Sequence, residues 1–478
     1  MGKRRRLQGA TAPQHPPSAP LCRLRGTQRL FRKIKEKWLA VICRFSTEAG
    51  VKNTKPTTQL QVRTILNRIQ HFAGFVYHSV RLVNRVAPWI EVKVEPHQGI
   101  DRRCSQCLEP CPGYDTMAAR SWCCVPLWQI PVSLVYAPRR VKCERHGVVV
   151  EYLPWSDGKR PVTMAMMEFL GRWARRLSWR ETARVFGTSW EAVYRSVEWL
   201  VEWGLAQRKL QGVKSIGVDE IHWGKGKRAD SFLTVIYQID RDCRRLLWVG
   251  RRRTARTLRQ GLGALGEEVV SGLRFVCSDM WQPYLKVMAA KATEALHVLD
   301  RFHITMHLNQ AVDQVRRAES GQLRGRRMGE RLKNMRWKLL RRGSHVRGKA
   351  RIKLNGLLAS KLATARAWML KESFQHFWRY RSVLWAGYFL DYWCERAMRS
   401  RIEPMRKVAR MLQAHDELIL NWFRAKGEIS SGAVEGLNNK IRVVTRRSYG
   451  FRTYKAMELA LYHNLGRLPE PGLTHGFC

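Results

Sequence analysis

The stretch VKSIGVD at residues 213–219 decides the fold, because an apolar strand pattern ends there on the carboxylate of Asp219. Two more apolar runs follow after short turns, FLTVIYQID at 232–240 and LLWVG at 246–250. Strand-like runs joined by short turns favour antiparallel neighbours. We therefore predict a three-stranded meander that begins with the strand ending on Asp219.

The next 50 residues alternate between helical and strand patterns. They comprise the helical run TARTLRQGLGAL (254–265), the strand LRFVCSD (273–279), the helical run PYLKVMAAKA (283–292) and the strand ALHVLD (295–300). The resulting order is βββαβαβ followed by a helix, with acids at the tips of strands one and four. This order is that of the ribonuclease H-like fold, in which those two strands lie side by side. We therefore expect Asp219 and Asp279 to meet.

Two adjacent carboxylates repel each other and raise each other's pKa unless a cation lies between them, so this arrangement predicts bound Mg²⁺ or Mn²⁺. A third acid has to come from a later helix. Glu435 is the candidate, in a helix that Ser430 and Ser431 would cap. Metals held by three carboxylates activate an attacking oxygen and stabilise the leaving oxygen of a phosphodiester. The alternative is that one or more of these acids is an ordinary surface carboxylate.

The charge of the chain predicts a polyanionic partner. Among 478 residues, 87 are Lys or Arg and 38 are Asp or Glu, which gives a net charge of +49. Nucleic acid and an anionic membrane surface both fit such a field. No stretch has the 18 or so consecutive apolar residues of a membrane-spanning helix, which favours nucleic acid. A basic composition without functional meaning is the alternative.

Cysteine spacing predicts a structural zinc site. The chain has twelve cysteines and no apolar signal-peptide core after its Arg-rich start, which favours metal binding over disulfides. The predicted ligands are two pairs with short internal gaps, Cys104, Cys107, Cys143 and His146. Tetrahedral zinc takes such a two-plus-two set. Cys111, Cys123 and Cys124 leave the ligand choice open, and Cys123 or Cys124 could replace His146. The alternative is a set of scattered reduced cysteines with a surface histidine.

Residues 178–200 predict a helix-turn-helix. Ser178 with Glu181, and Thr188 with Glu191, have the spacing of capping boxes, and Gly187 lies at the turn between them. A recognition helix needs outward polar and basic groups for bases and phosphates. The residues predicted to contact DNA are Ser189, Trp190, Tyr194 and Arg195. A helical hairpin without DNA-binding function is the alternative.

The predicted organisation is an α/β multidomain protein. We expect residues 1–57 to be disordered or to be an upstream extension. The remaining divisions are an N-terminal helix and zinc ribbon (58–160), a helix-turn-helix (161–210), the first part of a ribonuclease H-like core (211–315), a basic, Trp-rich helical insertion (316–425) and the last part of the core (426–478).

The motifs together resemble those of the ISL-three family of bacterial insertion-sequence transposases, in the DDE superfamily. The motifs are the zinc knuckles, LPW (153–155), the helix-turn-helix, GVDE (217–220), SDMWQPY (278–284), DRFH (300–303), SGAVEGLNNKIR (431–442) and YGFRTY (449–454). The resemblance covers about residues 58–478. It implies a metal-binding triad of Asp219, Asp279 and Glu435, and a role for His303 near DNA or a catalytic water. The family often has Cys at the position of His146.

The predicted function is binding of the terminal inverted repeats of an insertion sequence, followed by metal-dependent DNA cleavage and strand transfer. The expected cofactors are Mg²⁺ or Mn²⁺ and Zn²⁺. The expected partners are transposon-end and target DNA and further copies of the chain, in the bacterial cytoplasm at the nucleoid. The alternatives are a non-catalytic DNA-binding regulator and a metal-dependent, structure-specific nuclease.

Overall fold

Helix α1 (Val62–Ile69) is the first element in the part of the chain that the structure describes. The computed structural model describes residues 62–69, 71–84, 86–223, 229–426, 428–429 and 432–473. All elements after α1 belong to one unit, Ile69–Cys478. The predicted extension 1–57 and the predicted caps Ser430 and Ser431 lie outside the described residues.

Two mostly antiparallel sheets, of four and three strands, form the N-terminal part of this unit. Their strands are β1 (Phe75–Val83), β2 (Trp89–Pro96), β3 (Gly113–Thr116), β4 (Arg120–Leu127), β5 (Ile130–Tyr136), β6 (Arg139–Cys143) and β7 (Gly147–Val150). The orders are β1-β2-β5-β4 and β3-β6-β7. The Trp155 ring, 1% exposed, packs edge-on against Phe75, Trp122 and Tyr136. The smaller sheet ends at the turn that carries Cys143 and His146.

Three helices follow, α2 (Met164–Ala174), α3 (Trp179–Val185) and α4 (Trp190–Ala206). The predicted capping box at α3 is confirmed. The Ser178 hydroxyl oxygen accepts from the Glu181 N–H, and the Glu181 carboxylate accepts from the Ser178 N–H. This pairing satisfies two N–H groups that a helix start leaves open.

The predicted capping box at Thr188 is wrong, because α4 begins one residue later. Ser189 is its N-cap, and the Ser189 hydroxyl accepts from the Ala192 N–H at 3.0 Å. The Thr188 N–H instead donates to the Ala183 carbonyl at 2.9 Å. With Gly187 at φ +61°, this bond closes the end of α3 in a Schellman motif. Thr188 thus terminates one helix and does not start the next.

The central sheet consists of five strands with helices packed on both faces. The elements are β8 (Ser215–His222), β9 (Phe232–Ile239), β10 (Arg244–Arg251), α5 (Ala255–Leu265), α6 (Glu267–Ser271), β11 (Phe275–Ser278), α7 (Gln282–Lys291) and β12 (Leu296–Leu299). The order is β10-β9-β8-β11-β12. The predicted meander is confirmed, and so is the predicted adjacency of the first and fourth strands, since β8 pairs with β11 in parallel.

Strand β8 extends three residues beyond its predicted end at Asp219. Its antiparallel pairing with β9 continues from Asp219↔Val235 to His222↔Phe232. A strand continues as long as its backbone pairs with the neighbouring strand, and an acidic side chain does not interrupt that pairing. Asp219 therefore lies within β8, with strand residues before and after it along the chain.

Helices make up the chain from 301 to 424. They are α8 (Arg301–Gln322), α9 (Arg327–Lys333), α10 (Arg336–Leu340), α11 (Gly348–Leu358), α12 (Ala363–Phe374), α13 (Val383–Arg399), α14 (Glu403–Gln413) and α15 (Asp416–Arg424). They share one apolar core that includes Trp368, Phe374, Phe377 and Trp393. None of the helices in the described part of the chain has the length and apolar character needed to cross a membrane.

Two last helices, α16 (Gly432–Arg447) and α17 (Tyr454–Leu465), return to the central sheet. Val434 and Leu437 of α16 belong to the same hydrophobic cluster as Tyr237 in β9 and Val197 in α4. The three-helix unit and the sheet therefore share one core. This core fixes α16, which carries Glu435, against the strand that carries Asp219.

Candidate active site and metal-binding cluster

Gly217 lets α16 pack closely against β8. A Cβ atom at this position would lie 2.5 Å from Cγ2 of Val434, well inside van der Waals contact. Only a residue without a side chain permits this approach. As a result, the first turns of α16 lie beside the carboxylate of Asp219, two residues along β8.

Asp219 is held by hydrogen bonds to both of its carboxylate oxygens. Oδ1 accepts from the Glu220 N–H at 2.7 Å, and Oδ2 accepts from Nδ2 of Asn438 at 2.6 Å. Asn438 is itself oriented by the Tyr237 hydroxyl, which donates to its Oδ1 at 2.8 Å. Asn438 lies three residues after Glu435, on the same face of α16.

Asp279 follows directly after β11. The β8–β11 register pairs Ser215 with Phe275 and Gly217 with Cys277. Asp219 and Asp279 lie two residues beyond the last of these pairs, Asp219 within β8 and Asp279 outside β11, and the charge of Asp279 acts on Asp219. Oδ1 of Asp279 accepts from the Trp281 N–H at 3.0 Å.

Electrostatics couple these carboxylates. Burial raises the pKa of Asp219, and the charge of Asp279 raises it further, while the Glu220 N–H, His303 and Asn438 oppose the rise. Both desolvation and a neighbouring like charge disfavour the ionised form. A cation between the two aspartates would remove both penalties.

Arg253 and Glu220 complete the site and were missed by sequence reasoning. Nε of Arg253 lies 2.8 Å from Oε1 of Glu220, and its NH2 lies 3.3 Å from Oδ2 of Asp279. The guanidinium also lies over the Trp281 ring, 4.4 Å from its centroid. Burial, the charge of Asp279 and that of Asp219 raise the pKa of Glu220 to about 8, against the effect of Arg253. The signals were present as GVDE and the Arg run 251–253.

Asp300 caps α8 and lies within the field of the same acids. Its Oδ1 accepts from the Phe302 N–H at 2.8 Å, and its own N–H donates to the Ser278 carbonyl at 2.9 Å. Burial raises its pKa to about 6; the charges of Asp219 and Glu435 raise it as well, while the Phe302 N–H and His303 oppose this. His303 is half-buried one turn along α8.

Glu435 lies in the first turn of α16 with an exposed side chain. Within the described residues, the ligand atoms of Asp219, Asp279 and Glu435 do not all lie within 4.8 Å of one another. The structure therefore brings the two aspartates close enough for their charges to interact and leaves Glu435 at the edge, near enough to affect the pKa of Asp300.

Cys104, Cys107, Cys143 and His146 form a second cluster, with ligand atoms all within 4.8 Å of one another. Sγ of Cys107 lies 3.7 Å from Sγ of Cys143. Nδ1 of His146 lies 3.6 Å from Sγ of Cys104 and 3.5 Å from Sγ of Cys143. Tetrahedral bonds of about 2.3 Å to sulfur and 2.0–2.1 Å to nitrogen would set S···S near 3.8 Å and S···N near 3.6 Å. The cluster thus has the dimensions of a tetrahedral metal site.

The cysteines left open as alternatives are now placed. Cys123 and Cys124 lie on β4, in the larger sheet, and neither belongs to the cluster. Cys111 lies next to the cluster, where burial raises its pKa and the charge of Cys143 raises it further. Burial opposes ionisation of Cys143, but backbone N–H groups of His146 and Arg145 and the neighbouring thiols lower its pKa to about 7. A thiolate is the form that binds metal.

The residues predicted to contact DNA lie at the start of α4. Trp190 is 50% exposed and stacks on Tyr194, with centroids 5.4 Å apart. Trp179 contacts both rings. The Arg195 side chain is 53% exposed, and its guanidinium donates to Glu198 at 2.8 Å. The predicted surface is therefore aromatic, with its arginine already paired.

Comparison with known proteins is consistent with this arrangement. The chain is 26% identical over 352 residues to the transposase for insertion sequence element IS1001 of Bordetella parapertussis, covering 73% of this chain and 85% of that relative. It is 26% identical over 416 residues to the transposase for insertion sequence element IS1557 of Mycobacterium tuberculosis strain H37Rv, covering 80% of this chain and 90% of that relative. A DDE family model described as a transposase matches residues 216–461. The resemblance inferred from the motifs is confirmed, and the chain belongs to the ISL3 (ISL-three) family of transposases.

Proposed function

We propose that this chain is the transposase of an insertion sequence, which binds the terminal inverted repeats and catalyses metal-dependent DNA cleavage and strand transfer. One observation carries the proposal. Asp219 lies on β8 and Asp279 directly follows the adjacent parallel strand β11, with the helix of Glu435 packed on β8 at Gly217. Membership of a transposase family gives this acid arrangement its chemical meaning.

The proposed catalytic domain is ribonuclease H-like, with residues 211–315 and 426–478 forming the core and 316–425 the helical insertion. The 3-2-1-4-5 strand order of the central sheet supports it. Residues 58–160 and 161–210 are proposed as the zinc-ribbon and helix-turn-helix modules. We infer that the helix-turn-helix module packs on the catalytic core and is not tethered to it, because residues of both belong to one hydrophobic cluster.

The proposed ligands of Mg²⁺ or Mn²⁺ are Asp219, Asp279 and Glu435. The fit is chemical: the donors are hard oxygens, and burial and the repulsion between Asp219 and Asp279 are penalties that a cation relieves. When bound, such ions activate the attacking water or 3′ hydroxyl and stabilise the departing oxygen. No covalent protein nucleophile is needed.

The residues around the triad orient it. Asn438 fixes the rotamer of Asp219 through the 2.6 Å hydrogen bond to Oδ2, and Tyr237 fixes Asn438. Arg253 lies between Glu220 and Asp279 and balances their charge. His303, whose charge acts on Asp219 and Asp300, is placed to contact a DNA phosphate or the attacking water.

The proposed role of the Cys104, Cys107, Cys143 and His146 cluster is structural zinc binding. All four positions of a tetrahedron are filled by protein, which is typical of structural sites and leaves no open position for substrate. Zinc there would fix the β6–β7 turn and the knuckle at residues 104–107 in one geometry.

We propose that DNA ends are read at the start of α4, by Ser189, Trp190, Tyr194 and Arg195. The aromatic pair offers flat faces, and the exposed Arg180 and Arg184 on α3 supply positive charge beside it. Phosphate contacts elsewhere on a surface of this charge would supply most of the affinity. Binding two ends requires more than one copy of the chain, so the working form on DNA is proposed to be a homo-oligomer at the nucleoid.

The experiment uses the purified chain and labelled duplexes that carry the inverted repeats flanking its gene, with and without Mg²⁺. Cleavage at the repeat boundary and transfer of the 3′ end to a second duplex are the expected results. Binding of the repeats without cleavage would indicate a regulator. Cleavage of branched DNA with no preference for the repeats would indicate a structure-specific nuclease, and either result would overturn the proposal.

A further inference from the structure

A cavity of about 300 Å³ lies between the start of α8 and the helical insertion. It is lined by Arg301, Thr305, Arg342, Gln375, Trp378 and Arg379. Three of these six residues are arginines, and none is acidic. A second cavity of about 380 Å³ shares Arg342, Gln375 and Arg379 with the first. The two form one groove, whose lining also includes Trp368, His376 and one acid, Glu372, whose carboxylate lies 3.0 Å from Nζ of Lys371.

The three arginines have no anionic partner in the part of the chain that the structure describes. None forms an ion pair or a side-chain hydrogen bond there, and Arg301 alone makes a cation–π contact, 5.3 Å from the Trp422 centroid. Elsewhere in the insertion, arginines pair with glutamates, as Arg410 does with Glu403. Three like charges around one small cavity repel each other, and a bound anion relieves that repulsion.

The loop that carries Arg342 is fixed by buried polar contacts on both sides. Lys371, 2% exposed, donates to the Leu339 carbonyl at 2.7 Å and to the Arg341 carbonyl at 3.1 Å. Glu372 accepts from the Gly343 N–H at 2.8 Å. A buried charge is costly, and here it is used to hold main chain next to Arg342. The cavity is therefore preorganised before any ligand binds.

The lining favours one nucleotide of a DNA strand. A volume near 300 Å³ lies at the small end of ligand sites and, as a sphere, has a diameter of about 8 Å, too small for a duplex. Guanidinium groups bind phosphate oxygens in bidentate fashion, and an indole ring offers a face or edge to a base. Gln375 adds amide donors and acceptors for a base edge.

The position of the cavity relates it to the acids. Arg301 is adjacent in the chain to Asp300, whose N–H donates at 2.9 Å to the carbonyl of Ser278, the residue before Asp279. A DNA strand whose scissile phosphate lies at the acids would pass close to Arg301.

We propose that this groove binds an unpaired nucleotide of the DNA strand beside the cleavage site, with its phosphate on Arg301, Arg342 and Arg379 and its base against Trp378. The inference rests on the proposed function for the identity of the strand. The chemical class of the ligand, a phosphate with a planar base, is argued from the lining residues alone.

The test compares two fluorescent DNA hairpins, one blunt and one with a tail of five unpaired thymidines, binding to the full chain without added Mg²⁺. The wild-type chain should prefer the tailed hairpin. Arg342→Ala with Arg379→Ala should weaken binding of the tailed hairpin about tenfold or more relative to the blunt one. The matched control, Arg347→Ala with Arg381→Ala, removes two exposed insertion arginines outside the cavity and should weaken both hairpins equally.

Trp378→Leu, judged against Trp378→Phe, tests the stacking surface, and the Phe variant should retain most of the tail preference. Equal loss on both hairpins for the cavity and control pairs, or no tail preference in the wild-type chain, would overturn the proposal. Displacement of the tail by an equal concentration of free thymidine monophosphate would assign the cavity to a small nucleotide and overturn it too. None of these readouts requires cleavage, so failure of the proposed catalytic function is detected separately.

Discussion

Substitution of Gly217 by Ala tests whether the packing of α16 on β8 sets the geometry of the acids. The added Cβ would lie 2.5 Å from Cγ2 of Val434 and 3.2 Å from Cγ2 of Ile239. Carbon atoms in contact are about 3.5–4.0 Å apart, so Val434 and its helix must move away by about 1 Å. Val434 is β-branched and has little rotamer freedom in a helix, which directs the shift into the backbone.

The size of the effect follows from the contacts on that helix. A 1 Å shift stretches the 2.6 Å bond from Asn438 to Asp219 to about 3.6 Å, beyond hydrogen-bond range. Overpacking of this kind costs about 1–3 kcal/mol of unfolding free energy. Misplacement of catalytic groups by about 1 Å lowers rates by about 100-fold. We therefore expect a folded variant with cleavage reduced far more than its stability.

The assay combines urea unfolding with Mg²⁺-dependent cleavage of a duplex carrying the element's end. Gly263→Ala is the matched control, because a Cβ there meets nothing within 4 Å. Gly263 lies in the last turn of α5, so the control should gain at most about 0.5–1 kcal/mol of unfolding free energy and keep its cleavage rate.

A compensating variant separates sterics from other effects. Gly217→Ala with Val434→Ala removes the clashing Cγ2 atom and should recover part of the lost cleavage, so the two changes will not be additive. If Gly217→Ala cleaves within twofold of Gly263→Ala, the contact between β8 and α16 does not set the geometry of the acids and the reasoning fails.

Three further predictions follow from the acids, the thiols and the DNA surface. Loss of one carboxylate should abolish cleavage and leave end binding intact, in each of Asp219→Ala, Asp279→Ala and Glu435→Gln, and full activity in any one would remove that residue from the triad. Elemental analysis should find one zinc per chain. The double variant Cys104→Ser with Cys107→Ser should lose the zinc and unfold the zinc-ribbon module, whereas Cys123→Ser should keep it. Wild-type protein without metal would contradict the assignment. Arg195→Ala should cost about 1–3 kcal/mol of binding free energy on the cognate end only. Arg341→Ala should weaken binding to all DNA and lower the slope of log affinity against log salt concentration by about one. Equal losses of affinity for cognate and scrambled DNA in Arg195→Ala would exclude base reading by Arg195.

Local sequence patterns predicted what depends on near neighbours. The capping box at Ser178 and Glu181 is confirmed because both partners lie within one helical turn. The box predicted at Thr188 and Glu191 was wrong because the spacing rule carries no information on the preceding turn. The Thr188 N–H is used by the Schellman bond to Ala183, and that bond depends on Gly187 in a left-handed conformation.

Side-chain contacts across the site were beyond the sequence. Arg253 contacts Glu220 and Asp279 only because β10, β8 and β11 belong to one sheet. Asn438 contacts Asp219 across 219 positions of chain, and nothing in the local pattern of VEGLNN marks it as a hydrogen-bond donor to an acid. The groove beside Arg301 joins residues from three separate segments, and its three arginines look like any others in a chain with 87 Lys and Arg.

The sequence by itself determined the family, the strand and helix order of the central sheet, and the adjacency of strands β8 and β11, because alternation of apolar residues and the acids that follow are local properties. It also determined the spacing of the four residues whose ligand atoms the structure brings within 4.8 Å of one another. Tertiary structure alone decided how far β8 extends, how closely α16 approaches through Gly217, and which cations and amides surround the acids. These depend on backbone pairing and packing between segments far apart in the chain, whose free energies no local pattern encodes.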